Sequence, residues 1–175
     1  MNGEPVKWVV GLIAAPQCDI GQLDELLAPI IGPGERRFGP WDFNRTDYYG
    51  PEMGTGLQRY WVSAAGLGDA CDLARIKRQC MELEDRFRRS SDEGAGRTVN
   101  IDPGYLTAAK FVLATHKNFS HRLAVGQGVF AELTLCFSRT GVVHHPWTYP
   151  DIRSGAYNKA LLTIRADFMD TVSDR

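Results

Sequence analysis

The chain has 175 residues, 43% apolar and 23% charged, with a formal net charge of −1. This is ordinary globular usage at a length that buries a core unaided, which argues against disorder and against polyanion binding by bulk charge. No run approaches the roughly 18 apolar residues of a membrane span. The run from Trp8 to Ala15 is short and lacks the charged n-region of a signal peptide, so it reads as a strand and the protein as cytoplasmic.

Residues Val6 to Ala15 suit a strand covered on both faces. Asp19 then offers an N-cap, Ile20, Leu23, Leu27 and Ile30 repeat at helical spacing, and Gly32-Pro33-Gly34 ends the helix. Glu35 to Gly56 carries Trp41, Phe43, Tyr48, Tyr49 and Met53 among glycines and prolines. It reads as extended chain and then a turn-rich connection, packed on the domain or lining a cleft. Leu57 to Ala65 reads as a strand.

Asp69 or Asp72 starts the clearest helix, with Leu73, Ile76, Cys80, Leu83 and Phe87 in one apolar stripe. Arg75, Lys77, Arg78, Glu82, Asp85 and Arg86 are expected on its solvent face. The basic end at Arg86, Arg88 and Arg89 complements the helix dipole, and nucleic-acid binding there is the weaker reading. After the polar loop Ser90 to Gly96, a strand at Arg97 to Ile101 completes a ferredoxin-like βαββαβ order in the first half.

Pro103-Gly104 predicts a sharp turn. A short helical turn at Tyr105 to Ala109 and a strand from Lys110 to Thr115 follow. His121 to Val125 and Val129 to Phe137 predict a hairpin around Gly126-Gln127-Gly128. Val129, Ala131, Leu133, Leu135 and Phe137 would share one face. Val142 to His145 reads as a return strand. The two prolines of Pro146 to Asp151 keep that stretch out of a central strand. Ser154 is expected to cap a last helix burying Tyr157, Leu161, Ile164 and Phe168. No repeat or linker appears, so 1–175 reads as a single α+β domain, with a mixed or mostly antiparallel sheet and three main helices.

The chemistry-bearing residues fall in several groups. Strand alternation puts Asn100 and Asp102 on one side, a pair fit for a ligand or for capping a turn. His116, Lys117, His121 and Arg122 fall close together and suit a phosphate or carboxylate, with histidine able to move a proton. Glu132 interrupts an apolar strand, and a symmetric hairpin register pairs it with Arg122. Asp47, Tyr48, Tyr49 and Glu52, with Asp102, Glu132 and Asp151, are equipped to hold a divalent cation. His144-His145 is discounted, because adjacent strand residues point oppositely. Cys18, Cys71, Cys80 and Cys136 show no C-x-x-C spacing, which excludes a zinc ribbon or thioredoxin motif. P-loop, Rossmann, zincin and hydrolase signatures are also absent.

Five stretches carry a resemblance: Tyr48-Tyr49 with Glu52-Met53-Gly54, Asn100 to Leu106, Ala114 to Lys117 with His121-Arg122, Ala131 to Leu135, and Trp147 to Asp151. Together they resemble an uncharacterised prokaryotic family, the domain of unknown function numbered forty-four sixteen, over nearly the whole chain. Such proteins tend to carry Arg-Ile-Tyr-Leu where this chain reads Arg122-Leu123-Ala124-Val125. The resemblance implies kinship of the five stretches and no particular activity.

The residues themselves predict an enzyme or binding protein for a small anionic ligand, phosphate- or nucleotide-like. His121, Asp102 and Glu132 are the candidate catalytic groups. Arg122, Lys117, Asn100, Tyr49, Glu52 and Asp151 are the candidate ligand-binding groups, and Asp102, His121, Arg122 and Glu132 are expected to meet in space. The alternative is a non-catalytic interaction or sensing module using Trp41, Tyr48, Tyr49 and Trp147 as its surface.

Overall fold

The computed structural model describes residues 5–46, 48–89 and 96–173, so Asp47 and most of the Ser90 to Gly96 loop lie outside the described residues. Strand β1 (Pro5–Ala14) is buried everywhere but its first residue, as an uninterrupted apolar run requires. Helix α1 (Ile20–Ile31) starts where the Asp19 carboxylate accepts a hydrogen bond from the Gln22 amide at 3.0 Å. It stops at Gly32, whose φ of 97° favours glycine.

The supposed aromatic connection begins as a strand. β2 (Gly34–Asp42) pairs with β3 (Gln58–Ala64), with register shifts on either side. The short helix α2 (Gly50–Met53) lies between them in sequence. β4 (Gly68–Asp69) and a 3-10 turn (Ala70–Asp72) lead into α3 (Leu73–Arg86). Leu73, Ile76, Cys80 and Leu83 are buried as the stripe predicts. Lys77 and Glu84, however, are buried too, 2% and 6% exposed, so Lys77 is not on the solvent face.

β5 (Val99–Leu106) corrects a second expectation, because it runs straight through Pro103 and Gly104 with Pro103 opposite Val10. No turn forms because β1 supplies a partner along the whole segment. Its ladder to β6 (Lys110–Thr115) begins only at Gly104, and Pro103, with no N–H to donate, stands at the end of that ladder. A Cβ on Gly104 would lie 2.2 Å from the Val112 carbonyl oxygen, so glycine there lets β6 approach. The expected helical turn at Tyr105 to Ala109 is therefore strand up to Leu106.

β7 (Arg122–Gly126), β8 (Val129–Ser138) and β9 (Gly141–His144) complete the sheet. Alternation along β8 is not continuous. Phe111 pairs with Leu135 but Val112 with Leu133, so Thr134 is an extra residue, and the apolar side chains change face there. Val129, Ala131 and Leu133 accordingly join one core, and Leu135 and Phe137 the other. Ser154 ends the short helix α4 (Pro150–Arg153) rather than starting the last one, which is α5 (Asn158–Ser173).

Among the described residues, nine strands form one sheet in the order β2-β3-β1-β5-β6-β8-β7, with β4 on β1 and β9 on β8, every pair antiparallel. The protein is thus α+β, and α1, α3 and α5 are its three long helices. Ile76 and Leu83 of α3, with Leu23 and Leu27 of α1, pack on Leu12, Ile101 and Val112. On the other face, Leu161, Ile164 and Phe168 of α5 pack on Val9, Trp61 and Phe111. Among the described residues, no helix is long and apolar enough to cross a membrane.

Candidate functional site

Below Gly104, β5 has no ladder to β6, and the two strands part. A cavity of about 450 Å³ lies at the opening, with Asn100 and Asp102 on the β5 side and Leu113, Thr115, His116 and Lys117 on the other. Lys77 reaches up from α3, its Nζ donating to the Ile101 carbonyl at 2.8 Å and to Asp102 Oδ1 at 3.0 Å. Asn100 Nδ2 donates to Asp102 Oδ2 at 2.6 Å. Burial alone raises the Asp102 pKa, but Lys77, then Arg59 and Asn100, outweigh it and hold the carboxyl below its ordinary value.

A second charged layer supports this floor. Glu84 accepts from the Ile101 amide at 2.6 Å and from Arg97 Nη1 at 2.5 Å, and Arg97 Nε lies 3.0 Å from Glu52. Burial pushes the Glu84 carboxyl up, against the pull of Lys77 and Arg97. Burial and the Asp102 charge also push the Tyr49 phenol up, so it remains protonated.

The β7–β8 hairpin builds the next wall. Arg122 stands opposite Glu132 as the register predicts, and its Nε donates to Glu132 Oε2 at 2.8 Å. The pairing departs from symmetry only at the turn, where a bulge sets Gly126 against Val129 and Gln127 has a φ of 53°. Arg122 Nη1 donates to the Lys117 carbonyl at 2.9 Å and Nη2 to the Tyr149 hydroxyl at 3.0 Å. His121 Nε2 lies 3.0 Å from the same Glu132 oxygen. Glu132 is 1% exposed, and its Oε1 has no hydrogen-bond partner among the described residues.

The far wall is aromatic, and its arginine is paired. Arg59 donates to Asp151 Oδ2 from Nε at 3.1 Å and Nη2 at 2.8 Å, and its guanidinium lies over Phe43 at 5.0 Å. Lys117 Nζ sits over the Tyr48 ring, 3.8 Å from its centroid, and also bonds that phenol. His116 is exposed, and desolvation with the nearby charges of Lys77, Lys117 and Arg97 lowers its pKa. Both effects favour the neutral imidazole.

Arg122, Lys117, Asn100, Asp102, Tyr49 and Asp151 thus line one cavity, while Glu52 supports it through Arg97. Arg122, His121 and Glu132 meet. Asp102 does not join them; its oxygens meet Lys77 and Asn100 instead. His121 lies behind Glu132, stacked on Trp147 with ring centroids 5.3 Å apart, and lines a separate groove with Phe119 and Pro146. Trp41 is half-buried against Tyr157 rather than offered as surface.

Among the described residues, no three His, Cys, Asp or Glu side chains are arranged to hold a metal ion. Of the carboxylates proposed for one, Asp47 lies outside the described residues, and the other four are each close to a cation: Asp102 to Lys77, Glu132 to Arg122, Asp151 to Arg59 and Glu52 to Arg97. Three arginines in and just after α3 are also engaged locally: Arg75 with Asp72, Arg88 with Asp85, Arg89 with the Met53 carbonyl. Sequence reasoning missed Lys77, Arg59 and Arg97. Lys77 and Glu84 left a signal, standing two turns apart on the flank of the apolar stripe.

Fold and site define an α+β protein whose antiparallel sheet opens at one point into a charged, tyrosine-lined cavity. The chain belongs to the family described as Domain of unknown function (DUF4416), whose model matches residues 4–168. No curated protein and no solved structure matches it.

Proposed function

We propose that the cavity binds a small anionic ligand, phosphate- or nucleotide-like, as an enzyme acting on it. The observation that carries this reading is the charge of the lining: Arg45, Arg59, Arg97, Lys117 and Arg122 against two carboxylates, Asp102 and Asp151. Both carboxylates are ion-paired, and so are Arg59, Arg97 and Arg122, which leaves Lys117 and Arg45 as the lining cations with no carboxylate partner among the described residues. Lysine and arginine side chains converging on a concave site suit an anion. In this reading Lys117 and Arg122 hold the anion, and neutral His116 moves a proton. Glu132 and His121 act as positioning residues through Arg122, and Asp102 accepts a ligand hydroxyl.

The order β2-β3-β1-β5, with α1 and α3 on one face, is read as a ferredoxin-like unit extended by β6 to β9 and α5 within one domain of residues 1–175. Calorimetric titration against nucleotides and sugar phosphates, with and without magnesium, tests the ligand. Binding of at least one is expected, and silence across the set overturns the reading. A second reading, a non-catalytic sensing or interaction module, is favoured by the exposure of Phe119 (64%), Leu123 (74%) and Trp147 (39%). It predicts binding without turnover.

A further inference from the structure

We propose that the ligand is a nucleoside 5′-monophosphate, its phosphate at Lys117 and Arg122, its ribose over Asn100 and Asp102, and its base toward Phe43 and Tyr49. This rests on the anionic-ligand reading and adds three positions to it.

The phosphate end follows from unspent donors. A guanidinium carries five N–H groups. Arg122 uses one on Glu132, one on the Lys117 carbonyl and one on Tyr149, which leaves one on each Nη. The Tyr149 hydroxyl accepts from Arg122, so its own hydrogen is left to donate. The Thr115 hydroxyl likewise accepts from the Lys117 amide at 3.2 Å and keeps its hydrogen. With the Lys117 ammonium, these groups form a donor set without an acceptor-only member. Such a set suits phosphate oxygens.

The middle of the cavity has the opposite character. Asp102 is 27% exposed at the cavity floor, and each of its oxygens accepts one hydrogen bond from the protein. A carboxylate oxygen has capacity for a second. Lys77 keeps the group ionised, and Asn100 stands beside it. A fixed anion there repels a second phosphate and attracts hydroxyl donors. That selects a monophosphate over a longer polyphosphate, and a sugar over an acid.

At the far wall Asp151 neutralises Arg59. What remains is ring surface, chiefly that of Tyr48 and Tyr49, since Phe43 is buried beneath the Arg59 guanidinium. An unbroken series of contacts leads there from the phosphate end: Lys117 on Tyr48, Tyr48 on Tyr49 at 5.0 Å, Tyr49 on Phe43 at 5.8 Å, and Phe43 under Arg59. Aromatic faces of this kind take a heterocyclic base whatever its identity. The 450 Å³ volume falls among small-molecule sites and far exceeds what inorganic phosphate needs.

The test is calorimetry on the full chain with the four ribonucleoside 5′-monophosphates, ribose 5-phosphate, inorganic phosphate and adenosine. The best monophosphate is expected to bind at least about tenfold more tightly than ribose 5-phosphate. Its 2′,3′-dideoxy analogue should bind more weakly and its triphosphate no more tightly. Lys117→Ala, at an exposed position, should weaken monophosphate binding about tenfold or more and leave adenosine unchanged. Equal binding of phosphate, ribose 5-phosphate and monophosphates overturns this inference and leaves the anion reading standing. Absence of binding by every phosphate compound overturns both. Adenosine binding as tightly as its monophosphate also overturns both.

Discussion

Arg122 and Glu132 face one another across the β7–β8 hairpin, with Nε 2.8 Å from Oε2 and both side chains largely buried, at 11% and 1% exposure. The pair joins the cavity to the outer groove, because the same oxygen meets His121. Removing one partner of a buried pair leaves an uncompensated charge, at about 3–5 kcal/mol. Glu132→Gln is therefore expected to lower stability in urea by roughly that amount. The double variant Arg122→Met with Glu132→Met should recover most of it, since apolar side chains of similar volume replace such pairs at little cost. A single-variant loss under about 1 kcal/mol would show the pair to be as weak as a surface ion pair.

Lys77 and Asp102 give a pH-dependent expectation. The Asp102 pKa is depressed in the folded state, so its contribution to stability is full above the unfolded value of 3.8 and is lost as pH falls through the folded value. Lys77→Met strands this carboxylate and deprives Glu84, whose pKa burial already raises, of a counter-charge. Both acids then take up protons at higher pH than in the parent, which relieves the variant first. The stability gap between parent and variant should be about 3–5 kcal/mol at pH 7 and shrink toward pH 4. Urea denaturation at both pH values measures this, and a gap independent of pH contradicts it.

His116 should titrate below the ordinary histidine value of 6.5, because desolvation and the charges of Lys77, Lys117 and Arg97 all disfavour its cation. The folded state then binds fewer protons than the unfolded one in the window below 6.5, so this contribution to stability falls as pH drops through it. Imidazole proton NMR checks the midpoint. Lys117→Ala should move it up, and a bound anion should move it up further. A midpoint at or above 6.5 in the free protein contradicts the arrangement.

Parts of this site were legible because they depend on local rules. The Gly126-Gln127-Gly128 turn set the hairpin, and the hairpin set Arg122 against Glu132. The β7–β8 register needed no knowledge of the rest of the sheet. Asn100 and Asp102 were recognised as sharing one side of a strand for the same reason. Pro103-Gly104 misled, because the preference of those residues for turns yields where β1 pairs along the full segment. The bulge at Thr134 was invisible, since alternation in β8 continues through it in sequence while the partner strand does not follow. His121 and His116 were not separable from composition. Only the position of Glu132 behind the cavity wall sends one to the groove and leaves the other at the cavity. Lys77 was hidden by its long aliphatic stem, which lets a charged residue sit on the edge of an apolar stripe.

A phosphate held at Lys117 and Arg122 is the contact on which ligand binding depends. The most direct measurement is the ³¹P NMR signal of adenosine 5′-monophosphate titrated with the parent protein and with Lys117→Ala. A saturable shift or broadening of the phosphorus resonance is expected with the parent, and its loss with the variant. A phosphorus signal unmoved by the parent protein, or moved equally by both, would contradict it.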